Sequence, residues 1–442
     1  MDSFNRIAQR RLNRRTFVKG MGAAGGLLAL QGASALRAFA APPIVRVGTL
    51  LDYTGALAEF GPAHRNAAEL AAAQLNEAAQ AVFGGPIIRL VHEDSGTTAS
   101  IGIDRARKLV EVDGVAAIMG SLASGVTVPV AESVTIPAGV VQISPASTSP
   151  LISVLPADVG KDFLFRTTAS DALQGVVAAQ LAAGEIVPGY KYKTAATIYV
   201  NNPYGQGLSN VFARSFQLRG GVVTAQVPVP EEPKPTYTSE LALALKDRPE
   251  VLLAITYPGQ ATVYLKEALE VFGFRNFQFV DGTKSEEIIK VMGAAAVEGS
   301  LGTAPGSDPE WGGFQTFASA YEARYRTRPP LPFMDSAYDA VAVIGLAIAK
   351  AYVDGVTRIT GAALRDRLRQ VANPPGERIG VGEFQKAFEL LQARRDINYS
   401  GAAGEQDFDA AGDVITPVEV WQYTGGGIRT VGIRRSEQIP AE

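Results

Sequence analysis

The chain has no cysteine and only two histidines, His64 and His92, in 442 residues. Without thiols there is no disulfide, iron–sulfur cluster, thiolate nucleophile or lipid-modified cysteine. Two imidazoles leave metal chemistry few ligands, so no metal is expected and each histidine is read as a surface or capping residue. Basic runs are also missing beyond the first 40 residues. Those 40 carry six Arg and one Lys against one Asp, so removing them takes the formal charge from −3 to −9. So acidic a chain is a poor partner for nucleic acid or anionic membranes. The short enzyme motifs are absent too: there is no GxSxG elbow, Walker loop or HExxH, and the loose GxGxxG in "GMGAAGG" follows no strand. No cofactor is expected.

What is present begins with an export signal. Arg10, Arg11, Arg14, Arg15 and Lys19 precede an uncharged Gly/Ala-rich stretch, and Ala38-Phe39-Ala40 supplies small-x-small cleavage chemistry. "NRRTFVKG" resembles the twin-arginine export motif, so residues 1–40 are expected to be removed, with the mature chain beginning near Ala41 in the periplasm.

From Ile44 onward, short apolar runs alternate with helical periodicity. "IVRVGTLLD", "IIRLVHEDS", "VAAIMGS" and "GVVQISP" read as strands separated by helices. A second series, "TAATIYVNN", "GVVTAQVPV", "VLLAITYP" and "NFQFVDG", repeats the beat. This predicts an α/β fold with two Rossmann-like lobes built on parallel sheets. Residues 311–396 return to long helices, and "YDAVAVIGLAIAKAY" reads as a buried core helix rather than a membrane span.

Ligands of open parallel sheets bind beyond the carboxyl ends of the strands, where helix N-termini and free backbone N–H groups collect. The predicted strand ends read "DYTGALAEFG", "GSLASG", "SPASTSP", "NNPYGQG", "TYPGQ" and "DGTKSEE". Small residues admit a ligand close to the backbone, hydroxyls offer neutral hydrogen bonds, and tyrosines add an apolar face with a polar tip. Such a lining suits a small polar organic molecule, although Gly, Ser and Pro are also the ordinary material of turns. Carboxylates at Asp52, Glu59, Asp94 and Asp281 keep acid–base catalysis open; the plainer role of acids at strand ends is to cap loops and helices.

In their order along the chain, "VRVGTLLDYTGALAEFGPAHRNAAELAAAQLNEA", "VAAIMGSLASGVTVPVAE", "GVVQISPASTSP", "FLFRTT", "IYVNNPYGQGL", "EGSLGTAP", "SAYDAV" and "FDAAGD" resemble periplasmic solute-binding proteins of the leucine/isoleucine/valine-binding type, from residue 44 to about 425. The resemblance implies a type I periplasmic binding fold, two lobes joined by three crossovers near 165–168, 303–306 and 408–413. One lobe would hold 44–165 and 306–407, the other 166–305 and 408–442. It implies no enzyme, but a monomer that captures a small amino acid or related carboxylate or amide and hands it to ABC permease subunits.

By position, Ser124 and Thr148 would hold the ligand carboxylate. The Ala146 carbonyl would take its ammonium, Ala123 and Ser147 would add backbone contacts, and Phe60, Tyr204 and Tyr257 would wall the pocket. One departure stands out. Amino-acid binders of this type carry an acid after the strand matching "FQFVDG"; here Thr283 aligns with it, with Asp281 two residues earlier and Lys284 next. Asp281 keeps an amino acid in play, whereas Lys284 would meet a second carboxylate or remain a solvated surface residue. Two rivals remain: the same fold as a ligand sensor for a receptor, and a twin-arginine-exported enzyme.

Overall fold

The computed structural model of the protein describes residues 41–306 and 308–442. The export signal expected over 1–40 lies outside the described residues. The apolar runs form strands where their patterning predicts. β1 (Val45–Leu51), β2 (Ile88–Asp94), β3 (Ala117–Gly120), β4 (Val141–Ser144) and β5 (Leu164–Arg166) make one sheet in the order β2-β1-β3-β4-β5. Every neighbouring pair is parallel. β3 and β4 are buried at each position, as parallel strands covered on both faces must be.

β6 (Thr194–Val200), β7 (Val222–Val229), β8 (Val251–Ile255), β9 (Phe277–Phe279) and β10 (Leu301–Pro305) belong to a second sheet. After a short parallel pair, β11 (Glu377–Ile379) with β12 (Ile397–Tyr399), that sheet is completed by β13 (Val418–Thr424) and β14 (Gly427–Arg434). Its order is β14-β13-β10-β9-β8-β6-β7.

β13 and β14 depart from the all-parallel expectation: β13 runs antiparallel to β10 and β14 antiparallel to β13. Gly425 and Gly426, at φ 60° and 76°, supply the turn between them. Two successive left-handed residues match the twist of a hairpin, and glycine adopts them without a Cβ clash.

The helix Gly61–Phe83 buries Leu70, Leu75 and Phe83 and stops at Gly84 in the left-handed conformation. Against it lies Met334–Val353. That helix is long and apolar enough to cross a membrane, yet almost every residue in it is buried inside the molecule. It is a core helix, as its sequence predicts. A Cβ on Gly345 would lie 2.3 Å from the Leu75 side-chain tip, so the two helices approach closely here and a larger residue would have to push that side chain aside. Phe83 adds a ring contact at 5.1 Å with Phe388, which brings the helix Phe384–Gln392 onto the same core. Each buried Leu, Val or Phe here contributes about 1.5–3 kcal/mol.

The helices that begin at Ala99 and Ser124 change pitch, passing into π turns at Lys108–Val112 and Ala131–Thr135. Pro137 follows the second; it lacks the N–H that α pitch would direct to the Ser133 carbonyl within that turn, and a widened turn accommodates the loss.

Candidate functional site

The loops that follow the strands are fixed before any ligand is considered. The loop after β1 is clamped onto the loop after β2. The Asp94 carboxylate accepts from the backbone N–H of Tyr53, Thr54 and Gly96 at 2.9–3.2 Å. Ser95 Oγ donates to Asp52 Oδ1 at 2.6 Å, and Thr97 Oγ1 accepts from Leu57 N at 3.2 Å. Asp94 is therefore a loop cap. Asp52 is fully buried, and burial pushes its carboxyl up to about 6 against the pull of Ser95 and Thr97.

The uncharged string "SPASTSP" after β4 spends most of its hydroxyls on structure. Ser144 Oγ donates to the Ser121 carbonyl at 2.6 Å and accepts from Ser147 N at 2.9 Å. Ser147 Oγ reaches the Leu122 carbonyl at 3.0 Å and Thr127 Oγ1 at 2.8 Å. These bonds staple the loop after β4 to the loop after β3, so Ser124 and Ala146 are presented together. Thr148 Oγ1 donates to Asp171 Oδ2 at 2.9 Å, while Ser124 Oγ accepts from Ser149 N at 3.3 Å.

Opposite stand the loops of the second sheet. Asn202 caps the helix Pro203–Leu218 through Gly205 N and donates to the Tyr257 hydroxyl at 3.3 Å. Tyr204 and Tyr257 stack with centroids 5.5 Å apart and planes 10° apart. Tyr204 OH donates to Asp281 Oδ1 at 2.9 Å, and Gln174 Nε2 does so at 2.8 Å. Gly282 follows, where a Cβ would sit 2.5 Å from the Thr256 carbonyl and 2.9 Å from the Tyr204 hydroxyl. Only glycine lets the Asp281 loop approach the tyrosine so closely.

Phe60, Ser124 and Ala146 from the first sheet and Tyr204, Tyr257 and Asp281 from the second surround one cavity. Leu57, Leu122, Gly282 and Phe333 complete its lining, and its volume is about 20 Å³, room for about one water. Ala123, Ser147, Thr148 and Thr283 stand behind this lining. Thr283 Oγ1 turns away from the cavity to the Ala254 and Val280 carbonyls, and Lys284 pairs with Glu419 rather than lying free in solvent. Roomier surface grooves exist; one of about 640 Å³ near Asp158 and Arg369 lies away from this lining, and one of about 300 Å³ adjoins it at Phe333 and Lys284.

The electrostatics of the cavity are acidic. Burial pushes the Asp281 carboxyl up to about 6, opposed by Gln174 and Tyr204. Burial and then the charge of Asp281 raise Asp171 as well. Arg166, whose charge acts on Asp171, is committed to Asp413 at 2.6 Å. A positively charged ligand group at Asp281 would therefore meet uncompensated negative charge, while a ligand anion near Ser124 would meet hydroxyl and backbone dipoles.

Besides the Thr148–Asp171 bond, further hydrogen bonds join the two walls. Ser285 donates to Glu59, Gly259 N donates to the Ala56 carbonyl at 3.4 Å, and Ser149 Oγ donates to the Pro203 carbonyl at 2.8 Å. Glu59 is thus a contact between the walls. Neither histidine lines the cavity. His92 lies between Thr49 and Glu69. His64 is buried rather than on the surface and faces the Phe60 carbonyl at 2.8 Å; burial drives it down to about 4, so it is neutral.

Residues 44–387 match the model of the periplasmic binding protein family. The chain belongs to this family, in its leucine/isoleucine/valine-binding type. A relative from Halobacterium salinarum, described as the substrate-binding protein of a chemotactic signal transduction system, is 27% identical over 89% of this chain and 90% of its own length. A Pseudomonas aeruginosa protein described as binding leucine, isoleucine, valine, threonine and alanine is 26% identical over 70% of this chain and 78% of its own. The crystal structure of a leucine binding protein from Thermotoga maritima superposes with a TM-score of 0.72 at 22% identity, covering 89% of this chain and all of that one. The α/β two-sheet fold is that of this periplasmic binding protein type.

Sequence reasoning missed Leu57, Leu122, Gly282 and Phe333 in the lining, and Asp171 and Gln174 behind Asp281. The last two carried a signal. In "SDALQG", Ser170 caps a helix through Ala172 N, and Asp171 and Gln174, three apart, share one helix face. Phe333 had no local signal, since it precedes a core helix far along the chain.

Proposed function

We propose that the protein is an exported substrate-binding protein that captures a small amino acid, or a related carboxylate or amide, between two hinged lobes and delivers it to an ABC permease. The observation that carries this reading is the cavity itself. Neutral hydroxyl and backbone groups at Ser124 and Ala146 face an acid, Asp281, and two stacked tyrosines across a narrow gap. A zwitterion fits that polarity, with its carboxylate toward the first sheet and its ammonium toward Asp281.

The lobes in this reading are 44–165 with 306–407, and 166–305 with 408–442. The three passages of the chain between them would act as the hinge, and closure would desolvate the ligand while both walls touch it. With no metal or cofactor motif in the sequence, binding is the whole activity in this reading and no chemistry is assigned to the acids.

A thermal-shift screen of the purified protein against amino acids, aliphatic and aromatic carboxylates, amides and urea tests the reading. A ligand at a hundred times its Kd adds about 2.7 kcal/mol to stability, so one class is expected to raise Tm by several degrees. Conversion of a bound candidate into product would overturn the reading in favour of an enzyme. The chemotactic role in the name of the Halobacterium relative makes a receptor the second partner to test. Ligand uptake lost on gene deletion supports import, whereas lost taxis with intact uptake supports sensing.

A further inference from the structure

Gly125 follows directly on Ser124, the serine that faces the cavity, at the start of the helix Ser124–Val130. A methyl group there would come 2.2 Å from Glu231 Oε1 and 2.8 Å from Asn202 Nδ2. Both of those residues belong to the opposite wall. Glycine at 125 thus admits side chains of the second wall into the place of a first-wall Cβ, beside the residue read as the carboxylate holder.

Glu231 does not arrive there on a loose loop. It lies in "PEEPKP", residues 230–235, between β7 and the helix Thr238–Ala244. Pro230, Pro233 and Pro235 each fix their own φ, which stiffens the segment. Gln260 Nε2 donates to the carbonyls of Pro230 and Glu231, and Lys234 N donates to the Tyr237 hydroxyl at 2.9 Å. Between these anchors Pro233 reaches the seam where the walls meet: a Cβ on Gly259 would stand 3.0 Å from the Pro233 ring and 3.1 Å from Ala56 Cα. The segment is a strap, fixed to the second wall and laid against the first.

One side chain connects the strap to the cavity. Asn202 hydrogen-bonds the Glu231 carboxyl, donates to the Tyr257 hydroxyl at 3.3 Å and accepts from Gly205 N at 3.1 Å. Tyr257 in turn lines the cavity. Glu231 can swing clear of a methyl at 125 only by leaving Asn202, which its cap bond to Gly205 holds in place.

We propose that Glu231 is a positioning residue for closure: its carboxyl, seated on Gly125 and Asn202, latches the strap 230–235 across the cleft and slows escape of the ligand. It acts through those two residues rather than by touching the ligand. The proposal deepens the reading of the cavity as a hinged ligand site and rests on it.

The test follows radiolabelled L-leucine, with affinity from equilibrium dialysis and the dissociation rate from dilution into unlabelled ligand. Glu231→Ala should speed dissociation about tenfold, the size of one lost hydrogen bond to a charged group, with the association rate changed less than about threefold. Glu231→Gln keeps the shape and an acceptor for Asn202, so its dissociation rate should return to within about threefold of wild type. Gly125→Ala displaces the same carboxyl from the first wall, and it takes over as the test if Glu231→Ala fails to fold. Because both changes break one contact, the double variant should release leucine no more than about twofold faster than Gly125→Ala alone. Dissociation from either single variant within twofold of wild type, or losses that multiply in the double variant, would overturn the proposal. If L-leucine does not bind wild-type protein, the amino-acid reading fails separately, and closure is then measured without ligand. The chain has no cysteine of its own, so spin labels at Ile101→Cys and Leu218→Cys, both exposed and on helices of opposite walls, report the distance between the walls. Glu231→Ala should at least halve the share of molecules at the short distance, and equal distributions in the two proteins overturn the latch.

Discussion

Arg166 and Asp413, 247 positions apart, meet in a two-point contact, with Nε to Oδ1 at 2.7 Å and Nη2 to Oδ2 at 2.6 Å. The guanidinium is wholly buried and also donates to the Ser149 carbonyl at 3.0 Å and to Ser153 Oγ at 2.7 Å. Backbone bonds run alongside: Arg166 N to the Gly412 carbonyl at 3.0 Å, and Gly306 N to the Pro417 carbonyl at 3.0 Å. The pair therefore ties together stretches through which the chain passes from one sheet to the other, at the base of the "SPASTSP" loop.

Removing one partner of a buried ion pair leaves the other charge stranded, at a cost of about 3–5 kcal/mol. Asp413→Ala should lower the unfolding free energy by about 3 kcal/mol in urea titrations. The apolar pair Arg166→Met with Asp413→Leu should recover much of that loss, since desolvation of both charges is avoided. A single variant as stable as wild type would mean that water replaces the carboxylate and that the pair holds nothing together.

The two hydroxyls assigned to a ligand carboxylate occupy different positions. Ser124 faces the cavity, whereas the Thr148 hydroxyl is buried on Asp171. Ser124→Ala should weaken L-leucine binding about tenfold in calorimetry, the size of one hydrogen bond to a charged group, with little change in Tm. Thr148→Val should instead destabilise the ligand-free protein by about 1–3 kcal/mol, because the Asp171 carboxylate loses its donor. Should Thr148→Val leave Tm unchanged and abolish binding while Ser124→Ala does neither, the two roles are exchanged.

The strand-end rule made half of this cavity readable. Parallel strands are short apolar runs followed by loops of small residues, so the rule found the loops, and the resemblance to leucine/isoleucine/valine-binding proteins picked out Phe60, Ser124, Ala146, Tyr204, Tyr257 and Asp281 within them. What it could not show is where each hydroxyl points. Ser147, Thr148 and Thr283 lie in the same loops, yet buried backbone carbonyls and Asp171 claim them, and that depends on loop-to-loop packing. The β13–β14 hairpin carried a local signal, "TGGG" between alternating apolar residues, but alternation lacks the continuous apolar run by which the other strands were recognised. Phe333 is legible only in three dimensions, because its place in the lining follows from where the core helix Met334–Val353 begins.

The Asp281 carboxyl gives the site a pH dependence whose sign can be worked out. Burial pushes it up from 3.8 to about 6. The folded state then binds a proton more readily than the unfolded chain between those values. The resulting stability is fully present below 3.8 and is lost as pH rises through about 6, a difference of about 3 kcal/mol at most. Asp171 and Asp52 are raised in the same direction, so ligand-free wild-type protein should lose stability between pH 4 and 6.5. Asp281→Asn should flatten that decline in thermal melts without abolishing it. Ligand binding should show the opposite trend. An ammonium pairs with the ionised carboxylate, so L-leucine affinity should fall as pH drops through 6, while 4-methylpentanoate, which lacks the ammonium, should not follow. In Asp281→Asn the leucine affinity should be lower and nearly independent of pH. Parallel pH profiles for the two ligands in wild-type protein would remove Asp281 as the ammonium partner and leave the two tyrosines and the Ala146 carbonyl to receive the amino end.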